Sequence, residues 1–400
     1  MHINDILPTV LGRSQSFLYV DMECSCKNVS ESLSNARVLV IGAAGSIGSA
    51  FVTELAKFGL GGLHLLDISE NNLVEVVRQL RSGAISLPED FRTYAIDFST
   101  LEMQVLLKME QYDYVLNFSA LKHVRSERDP YTLMRLLEVN VAGNARLLDA
   151  LSQQKHLKRV FSVSSDKAVR PANLMGASKA FMERIYLSHA DKISFSSARF
   201  ANVAFSDGSL LHSFRNRLEK RQPLSAPSDV LRYFITHEEA GQLCLLSCFT
   251  GNNREIFFPQ FRPDKDMMSF AEIARIFLET NGYEVLECDS DYEALAKMAE
   301  MKSGDRHWPC YFSGSDTSGE KMYEEFNDPS ESVDLERFST VGVVTHPVYH
   351  GKEILDEALT MIKSCRARGS WTKKDLVAAV HTAVPEMNHV ETGKNLDQKM

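Results

Sequence analysis

The segment RVLVIGAAGSIG, residues 37–48, decides the fold. Its first five residues form an apolar run that is typical of a buried parallel strand. Three glycines follow at three-residue spacing, and the pattern then predicts a helix to about Phe58. Glycines permit a tight turn and let backbone N–H groups reach a diphosphate at the positive end of the helix. Because a strand and a helix flank the glycines, the segment predicts a dinucleotide-binding turn.

Carboxylates at two strand ends are candidates for contacts with the adenosine half of a dinucleotide. Residues 63–66 predict a second strand that ends in Asp67, where a carboxylate accepts hydrogen bonds from ribose hydroxyls and repels a 2′-phosphate. This favours NAD over NADP, although Asp67 could also cap the next helix. A third strand ends at Asp97, a candidate partner for the adenine amino group. The candidate cofactor-binding residues are Gly42, Gly45, Ser46, Ile47, Gly48, Asp67, Asp97, Ala120 and Lys179.

A fourth predicted strand, residues 114–118, leads into a segment that could face both cofactor and substrate. The small residues Ser119 and Ala120 would let a cofactor pass close to the chain. Lys122 and His123 follow and are candidate substrate-binding residues. Taken alone, a histidine such as His123 is more often structural.

The segment SSDKAVRPANLMGASK, residues 164–179, carries most of the candidate chemistry. It follows a fifth apolar strand, so the polar residues emerge at the carboxyl end, where open α/β sheets bind ligands. The helix that follows places Met175 and Lys179 one turn apart on the same face. The candidate catalytic residues are Ser165, Asp166, Lys167, Met175 and Lys179. An ordinary Asp166–Lys167 ion pair is the alternative interpretation.

At least five strand–helix alternations, with a sixth strand at residues 194–200, predict a doubly wound parallel sheet, the Rossmann arrangement. We expect an N-terminal arm over residues 1–35, loosely packed or with a specific role, and a dinucleotide-binding domain over residues 36–205. Residues 206–385 would form a smaller substrate lobe interleaved with the end of the sheet, before a disordered tail over residues 386–400. A last helix should follow Thr372, whose hydroxyl can cap it with Asp375 at the third helical position.

Two polar residues beyond the fifth strand are further candidates for substrate binding. Asn202 follows the sixth strand, and Arg232 lies between Leu231 and an aromatic pair. Arginines suit a sugar-nucleotide diphosphate because they make bidentate contacts. Arg215, Arg217 and Lys220 could equally be a solvated helix face.

The composition excludes several classes of protein. A net charge of −9 argues against a general nucleic-acid binder, which needs clustered lysine and arginine. Seven scattered cysteines predict reduced thiols rather than a disulfide framework, and no spacing indicates a metal site. There is no apolar run of 18 residues and no signal-peptide core. We therefore expect a cytoplasmic protein without a membrane span, and also a homo-oligomer.

The motifs resemble those of bacterial UDP-N-acetylglucosamine 4,6-dehydratases, which belong to the extended short-chain dehydrogenase/reductase superfamily. The superfamily carries Tyr-x-x-x-Lys at the helix start, whereas this chain has Met175 in the tyrosine position and is similar to the subgroup with methionine there. The shared segments cover roughly residues 5–385 and include 120–124, 165–179, 199–202, 232–234 and 319–325. The chain resembles a soluble short form of the family. Departures include Thr317-Ser318, Arg170, Ala201 and Ala204-Phe205.

The resemblance implies a reaction on a nucleotide sugar with bound NAD. Hydride would leave C4, water would leave from C6 across C5–C6, and the hydride would return to C6. It further implies Lys167 as the base at C5, Asp166 as the acid at C6, and Ser165 as a hydrogen-bonding partner of the C4 oxygen. Lys179 would orient the nicotinamide ribose and keep Lys167 deprotonated by charge repulsion. A neutral lysine beside a protonated aspartate requires both pKa values to move toward neutrality.

Two other functions remain open from the sequence. An epimerase on the same fold would return hydride to C4 from the opposite face, but would usually keep the missing tyrosine. A non-catalytic NAD-binding protein would explain Met175, but not the intact Ser165-Asp166-Lys167 run.

Overall fold

The computed structural model describes residues 3–83, 85–314 and 324–388. Two helices precede the first strand, and strands then alternate with helices up to residue 200. In chain order the elements are α1 (Ile3–Leu11), α2 (Tyr19–Leu33), β1 (Arg37–Ile41), α3 (Ser46–Leu55), β2 (Gly62–Asp67), α4 (Glu70–Ser82), β3 (Asp90–Ala95), α5 (Leu101–Met109), β4 (Tyr114–Asn117), α6 (Pro130–Leu137), α7 (Gly143–Leu151), β5 (Arg159–Ser165), α8 (Leu174–His189) and β6 (Phe195–Phe200).

The second half of the described chain has shorter elements. They are β7 (Asn202–Val203), α9 (Leu210–Glu219), β8 (Leu224–Pro227), β9 (Leu231–Ile235), α10 (His237–Thr250), β10 (Glu255–Pro259), α11 (Pro263–Asp266), β11 (Met267–Ser269), α12 (Phe270–Thr280), β12 (Glu284–Cys288), α13 (Asp291–Glu300), β13 (His307–Ser313), β14 (Ser332–Asp334), β15 (Val341–Thr345), α14 (Lys352–Arg368) and α15 (Lys373–Ala383).

A nine-stranded sheet forms the centre of the molecule, in the order β14-β15-β10-β6-β5-β4-β1-β2-β3. The seven strands from β10 to β3 are parallel, whereas β15 and β14 add antiparallel pairs at one edge. Several of these strands, such as β1 and β4, are buried along almost their whole length, as expected when helices cover both faces. The predicted doubly wound parallel sheet is therefore confirmed.

Two small sheets lie outside the large one. The first has the order β11-β9-β7 and the second the order β12-β13-β8. Their apolar side chains form a third core with α1, separate from the two cores on the faces of the large sheet. Because α10, β10, β15 and β14 return to the large sheet, residues 206–385 supply both the lobe and one sheet edge.

The N-terminal segment is packed, so the expectation of a loose arm is wrong for its described residues. Val10, Leu18 and Val29 are fully buried. The Arg13 guanidinium donates to both carboxylate oxygens of Glu239, at 2.8 and 2.7 Å. The Asp21 carboxylate accepts hydrogen bonds from the backbone N–H groups of the segment before β15. Residues 7–33 therefore connect the lobe with the large sheet.

The C-terminal helices α14 and α15 pack against α8, on the face of the large sheet opposite to α3 and α10. Thr372 and Asp375 form the predicted reciprocal cap at the start of α15. The backbone N–H of Asn388 donates to the Pro171 carbonyl at 3.0 Å, so the predicted disordered tail does not begin at residue 386. Residues 389–400 lie outside the described part. Among the described residues, no helix combines the length and apolarity needed to cross a membrane.

Candidate active site

The glycine turn between β1 and α3 has the geometry that its sequence predicts. Gly42 has a φ of +73°, and a Cβ atom there would lie 2.6 Å from the Ser119 nitrogen. A Cβ atom on Gly48 would lie 2.0 Å from the Gly42 carbonyl oxygen. Both positions therefore require glycine. At Gly45 a Cβ atom would meet only that carbonyl, at 3.5 Å, so this glycine leaves room at the N-terminus of α3.

A cleft with about 630 Å³ of empty space opens beside this turn, at the carboxyl ends of the parallel strands. Five of the predicted cofactor-binding residues line it, namely Gly42, Gly45, Asp67, Asp97 and Ala120. The wall is completed by Leu66, Ile68, Ile96, Phe98, Phe118, Ser119, Leu121, Arg135 and Val139. Ser46 instead accepts a hydrogen bond from the Asp207 backbone N–H at 3.0 Å. Ile47 packs at the edge of the neighbouring apolar core.

Asp67 is buried and has a structural role, although it does not cap the next helix as its alternative interpretation had it. One carboxylate oxygen accepts from the Ala44 N–H at 3.0 Å, and the other accepts from the Ser69 N–H at 2.9 Å. The first bond fixes the glycine turn. The second bond holds Ser69, which is the N-cap residue of α4. Each oxygen retains a further lone pair. A ribose contact is therefore compatible with these bonds.

Asp97 is held by a cation inside the cleft. Its carboxylate accepts from Arg135 Nη2 at 2.7 Å and from the Ser99 N–H at 2.9 Å. Although burial raises the pKa of Asp97, these bonds lower it below its ordinary value. An adenine amino group would therefore share Asp97 with Arg135.

The loop that carries Ala120 is fixed by a buried side chain, Asn140. Its amide oxygen accepts from the Leu121 N–H, and its nitrogen donates to the Leu121 carbonyl, both at 2.9 Å. The same nitrogen donates to Ser178 Oγ at 2.9 Å. Asn140 lies in a π-helical turn, Glu138–Ala142, between α6 and α7. Such turns often occur at functional sites.

Ser165, Asp166 and Lys167 lie together immediately after β5. Ser165 Oγ donates to Asp166 Oδ1 at 2.7 Å. Lys167 Nζ lies 3.1 and 3.2 Å from the two Asp166 oxygens. Asp166 is 4% exposed, whereas the Lys167 side chain is 36% exposed. The carboxylate therefore connects a hydroxyl and an ammonium group in one hydrogen-bonded chain.

The surroundings of Lys167 favour its charged ammonium form rather than the neutral amine that the resemblance implied. Burial lowers the pKa of Lys167, but the charges of Asp166 and Glu324 outweigh that effect and raise it above its ordinary value. Lys179 is not among the charges that act most strongly on Lys167, and burial lowers the pKa of Lys179 itself to about 8 although Glu183 opposes this. Lys179 Nζ donates to the Val163 carbonyl at 3.0 Å, so it lies beside β5.

Met175 lies in the first turn of α8 and is 3% exposed. Its backbone N–H donates to Glu127 Oε1 at 2.8 Å, while its side chain belongs to the apolar core on that face. A thioether cannot transfer a proton. Met175 therefore cannot be the acid or base of this site.

Asn202 and Arg232 lie on neighbouring strands of the first small sheet, and both meet the catalytic cluster through Glu324. Asn202 Nδ2 donates to Glu324 Oε1 at 2.5 Å, and the Tyr233 N–H donates to Oε2 at 2.9 Å. Arg232 is 7% exposed, and its charge acts on both Glu324 and Lys167. The structure therefore brings Asn202 and Arg232 to the predicted catalytic residues.

Lys122 and His123 face the turn where the lobe begins. A Cβ atom on Gly208 would lie 2.8 Å from the His123 ring. Loss of hydration lowers the pKa of Lys122, although the Asp207 carboxylate opposes this effect. Loss of hydration and the charges of Lys122 and Arg125 lower the pKa of His123. Loss of hydration and the charge of Lys122 also lower the pKa of His237, although Asp207 opposes this effect.

Sequence reasoning missed roles for Asn140 and Glu324. Asn140 was visible only as a polar residue within an amphipathic helix, with nothing to indicate the loop that it holds. Glu324 belongs to the shared segment 319–325, but its position beside Asp166 depends on tertiary packing. Residues 315–323, which include Thr317-Ser318 and most of the shared segment 319–325, lie outside the described residues.

Two relatives are similar to most of the chain, and one of them is named for polysaccharide biosynthesis. An uncharacterized membrane protein of Methanocaldococcus jannaschii is 28% identical over 325 residues, 80% of this chain and 88% of the relative. The probable polysaccharide biosynthesis protein EpsC of Bacillus subtilis is 28% identical over 308 residues, 76% of this chain. The chain spans only 47% of EpsC.

Relatives named for specific reactions fall into two groups. An inverting UDP-N-acetylglucosamine 4,6-dehydratase of Campylobacter jejuni is 25% identical over 236 residues, 56% of this chain and 66% of the relative. A UDP-glucose 4-epimerase of Rickettsia bellii is 25% identical over 310 residues, 72% of this chain and 86% of the relative. Sequence identity alone does not separate the two reactions.

Solved structures share the fold. Pen from Bacillus thuringiensis superimposes with a TM-score of 0.64 at 23% identity, over 79% of this chain and 89% of Pen. WbmF of Bordetella bronchiseptica, solved in complex with NAD+, has a TM-score of 0.51 at 20% identity, over 63% of this chain and 81% of WbmF. Residues 38–346, well over half of the chain, match the sequence family described as polysaccharide biosynthesis protein. The glycine turn, the cleft and the cluster after β5 all lie within that match, and the chain belongs to the polysaccharide biosynthesis protein family.

Proposed function

We propose that this protein is an NAD-dependent nucleotide-sugar 4,6-dehydratase that acts on UDP-N-acetylglucosamine or a close analogue. The observation that carries the proposal is the hydrogen-bonded Ser165–Asp166–Lys167 chain at the end of β5, with Met175 buried in place of a proton-transferring tyrosine. A dehydratase needs both an acid and a base near the sugar, and this cluster supplies both kinds of group.

The residues around the glycine turn fit a dinucleotide. Gly42 and Gly48 allow the tight turn, and Gly45 leaves room for a diphosphate at the start of α3. Asp67 and Ala120 line the adjoining cleft, where Asp67 retains acceptor capacity for ribose hydroxyls. WbmF, which shares the fold, was solved with NAD+. Bound NAD+ would accept the hydride from C4 of the sugar and return it to C6.

Ser165 and Asp166 can manage the proton of the C4 hydroxyl. As hydride leaves C4, Ser165 would take the hydroxyl proton and pass its own proton to Asp166 along the 2.7 Å hydrogen bond. Asp166 would then be a neutral acid. This relay removes the requirement for a protonated Asp166 at rest, because the substrate itself supplies the proton.

Elimination would use the other end of the chain. Lys167 would enter this step as the free amine, its ammonium proton having passed to solvent, to which the side chain is 36% exposed, and would remove the C5 proton that the adjacent C4 carbonyl has acidified. Asp166 would give its proton to the C6 hydroxyl, which leaves as water. After hydride returns to C6, Lys167 would return its proton to C5. The proton count then balances over one turnover, and the product is a 4-keto-6-deoxy sugar nucleotide.

A 4-epimerase is the second candidate, because the Rickettsia bellii relative aligns over more of this chain than the dehydratase does. Both reactions begin with C4 oxidation. In a dehydratase Asp166 then gives its proton to the C6 hydroxyl, whereas in an epimerase the hydride returns to C4. The buried Met175 favours the dehydratase, since the cluster after β5 must then hold its own acid and base.

The test is to incubate the purified protein with UDP-N-acetylglucosamine and to follow the sugar by NMR. The proposal predicts a new C6 methyl doublet that is absent with Asp166→Asn. Inversion at C4 without a methyl signal would establish the epimerase instead. No change with a panel of nucleotide sugars would reject both enzymes and favour a binding protein.

A further inference from the structure

Glu324 is a buried carboxyl group that holds two strands of the small sheet to the candidate active site. Its side chain is 7% exposed. One oxygen accepts from the Asn202 amide on β7, and the other accepts from the Tyr233 N–H on β9. Both contacts come from elements outside the segment that carries Glu324.

The charges that face Glu324 belong to the catalytic cluster. Asp166 and Lys167 face it from the turn after β5, and Arg232 faces it from β9. Two carboxyl groups therefore share one enclosed site with two cations. Burial and the nearby charge of Asp166 raise the pKa of Glu324 to about 7, although Lys167, Arg232 and the Tyr233 bond oppose the rise.

The hydrogen bonds of Glu324 are compatible with both protonation states. The ionised carboxylate accepts from Asn202 and from the Tyr233 N–H. In the acid form, the Asn202 amide can turn to present its oxygen to the Glu324 hydroxyl, giving up its 3.3 Å bond to the Tyr233 carbonyl. The site can therefore gain or lose one proton without losing either contact.

We propose that Glu324 is a positioning residue of this site, a buried carboxylic acid whose ionisation decides how strongly Lys167 holds its proton. The inference rests on the proposed function, in which Lys167 must act as a base. When Glu324 is ionised, its negative charge stabilises the Lys167 ammonium. When Glu324 is protonated, that stabilisation disappears and the free amine becomes more accessible.

The first experiment uses infrared spectroscopy and needs no substrate. The wild-type protein should show the C=O stretch of a protonated carboxyl group that disappears as pH rises through about 7, the pKa of Glu324. Glu324→Gln should remove this band, whereas the matched control Glu325→Gln should keep it. The Glu325 side chain is 30% exposed and pairs with Arg170, so Glu325→Gln controls for the loss of a neighbouring carboxyl group. No such band, or a band unchanged in Glu324→Gln, overturns the inference.

The second experiment compares kcat/KM for Glu324→Gln and the wild type across the same pH range. Glutamine mimics the acid form, so the ratio of variant to wild type should rise about tenfold from pH 6 to pH 8, the effect of one pKa unit on Lys167. A purely structural role would give a ratio that does not change with pH, and that result overturns the inference. If the variant has no measurable turnover, the infrared titration decides.

The two experiments separate this inference from the proposed function. If the infrared band titrates but no methyl product forms, the inference about Glu324 stands and the dehydratase proposal is rejected. If methyl product forms but the kcat/KM ratio does not change with pH and no infrared band is seen, the dehydratase proposal stands and the role of Glu324 is rejected.

Discussion

Met175 is the residue at which this site departs most from a tyrosine-based enzyme. Its side chain is buried in an apolar core, and proton transfer is assigned to the cluster after β5. Met175→Leu keeps a similar volume, so we expect a stability loss under about 1.5 kcal/mol and little change in rate. Met175→Tyr should give no gain in rate, because a phenol would compete with Ser165 for the C4 oxygen. Steady-state kinetics and urea unfolding of both variants check this, and a large gain in Met175→Tyr would contradict the assignment.

Lys167 should show a defect after hydride transfer rather than before it. In Lys167→Ala, the sugar can still lose hydride, since Ser165 and Asp166 retain the relay. Elimination should stop because no base remains for the C5 proton. Stopped-flow absorbance should therefore show transient NADH without a methyl product in the NMR spectrum. Wild-type turnover in Lys167→Ala would reject the mechanism, while loss of NAD binding would indicate a structural role.

Asp67 should affect both cofactor preference and the stability of the glycine turn. Asp67→Asn keeps an acceptor for one backbone N–H group but loses the negative charge that repels a 2′-phosphate. We expect the preference for NAD over NADP to narrow. Equilibrium binding of the two cofactors measures this. If NADP already binds more tightly to the wild type, the assignment of Asp67 is wrong.

At the scale of elements, the π-helical turn between α6 and α7 should control the cofactor loop. Asn140→Leu would leave the half-buried Leu121 N–H and carbonyl without their Asn140 partners, at up to about 1–3 kcal/mol for each unsatisfied group. Ser178→Ala is the matched control, because it removes only one of the three Asn140 bonds. We expect NAD affinity, measured by calorimetry, to fall much more in Asn140→Leu than in the control. Equal losses would contradict the loop assignment.

The elements that could be predicted from sequence are those with a local cause. Apolar runs predicted the first six strands, and glycine spacing predicted the turn at Gly42, because both depend on neighbouring residues. The N-terminal helices were not predicted, since their burial depends on partners such as Glu239, more than two hundred residues away. Lys167 was assigned a neutral side chain because the charge of Glu324 beside it is visible only in three dimensions. The roles of the individual site residues stay predictions.

At the scale of the whole molecule, acid should weaken the fold first at the β1–β2–β3 edge. His64 is fully buried there and lies 2.9 Å from the Tyr112 hydroxyl. Burial is the main effect on the pKa of His64, and Arg37 adds to it, so the pKa lies below 6.5 although Asp90 opposes this. The unfolded chain therefore binds a proton that the folded protein does not. Stability is greatest above pH 6.5 and falls as pH drops below it.

Asp90 adds a second step at lower pH. Burial raises the pKa of Asp90, but its bonds with His64 and Arg37 lower it from 3.8 to about 2. This contribution is present above pH 3.8 and is lost as pH falls toward 2. Urea midpoints measured across pH should show both steps. His64→Gln should reduce the upper step, whereas the exposed control His156→Gln should leave it intact, and an unchanged profile in His64→Gln would contradict the assignment.

The order of strands in the large sheet has a consequence for biosynthesis. β6 pairs with β10, and the Asp21 carboxylate bonds to Ser339, 318 positions later in the chain. As the nascent chain leaves the ribosome, the edge of β6 stays unpaired until β10 has been translated, and α2 lacks its partners for longer still. Exposed strand edges of this kind promote aggregation. A polypeptide released after residue 205 would therefore be a substrate for chaperones and proteases rather than a free-standing nucleotide-binding domain.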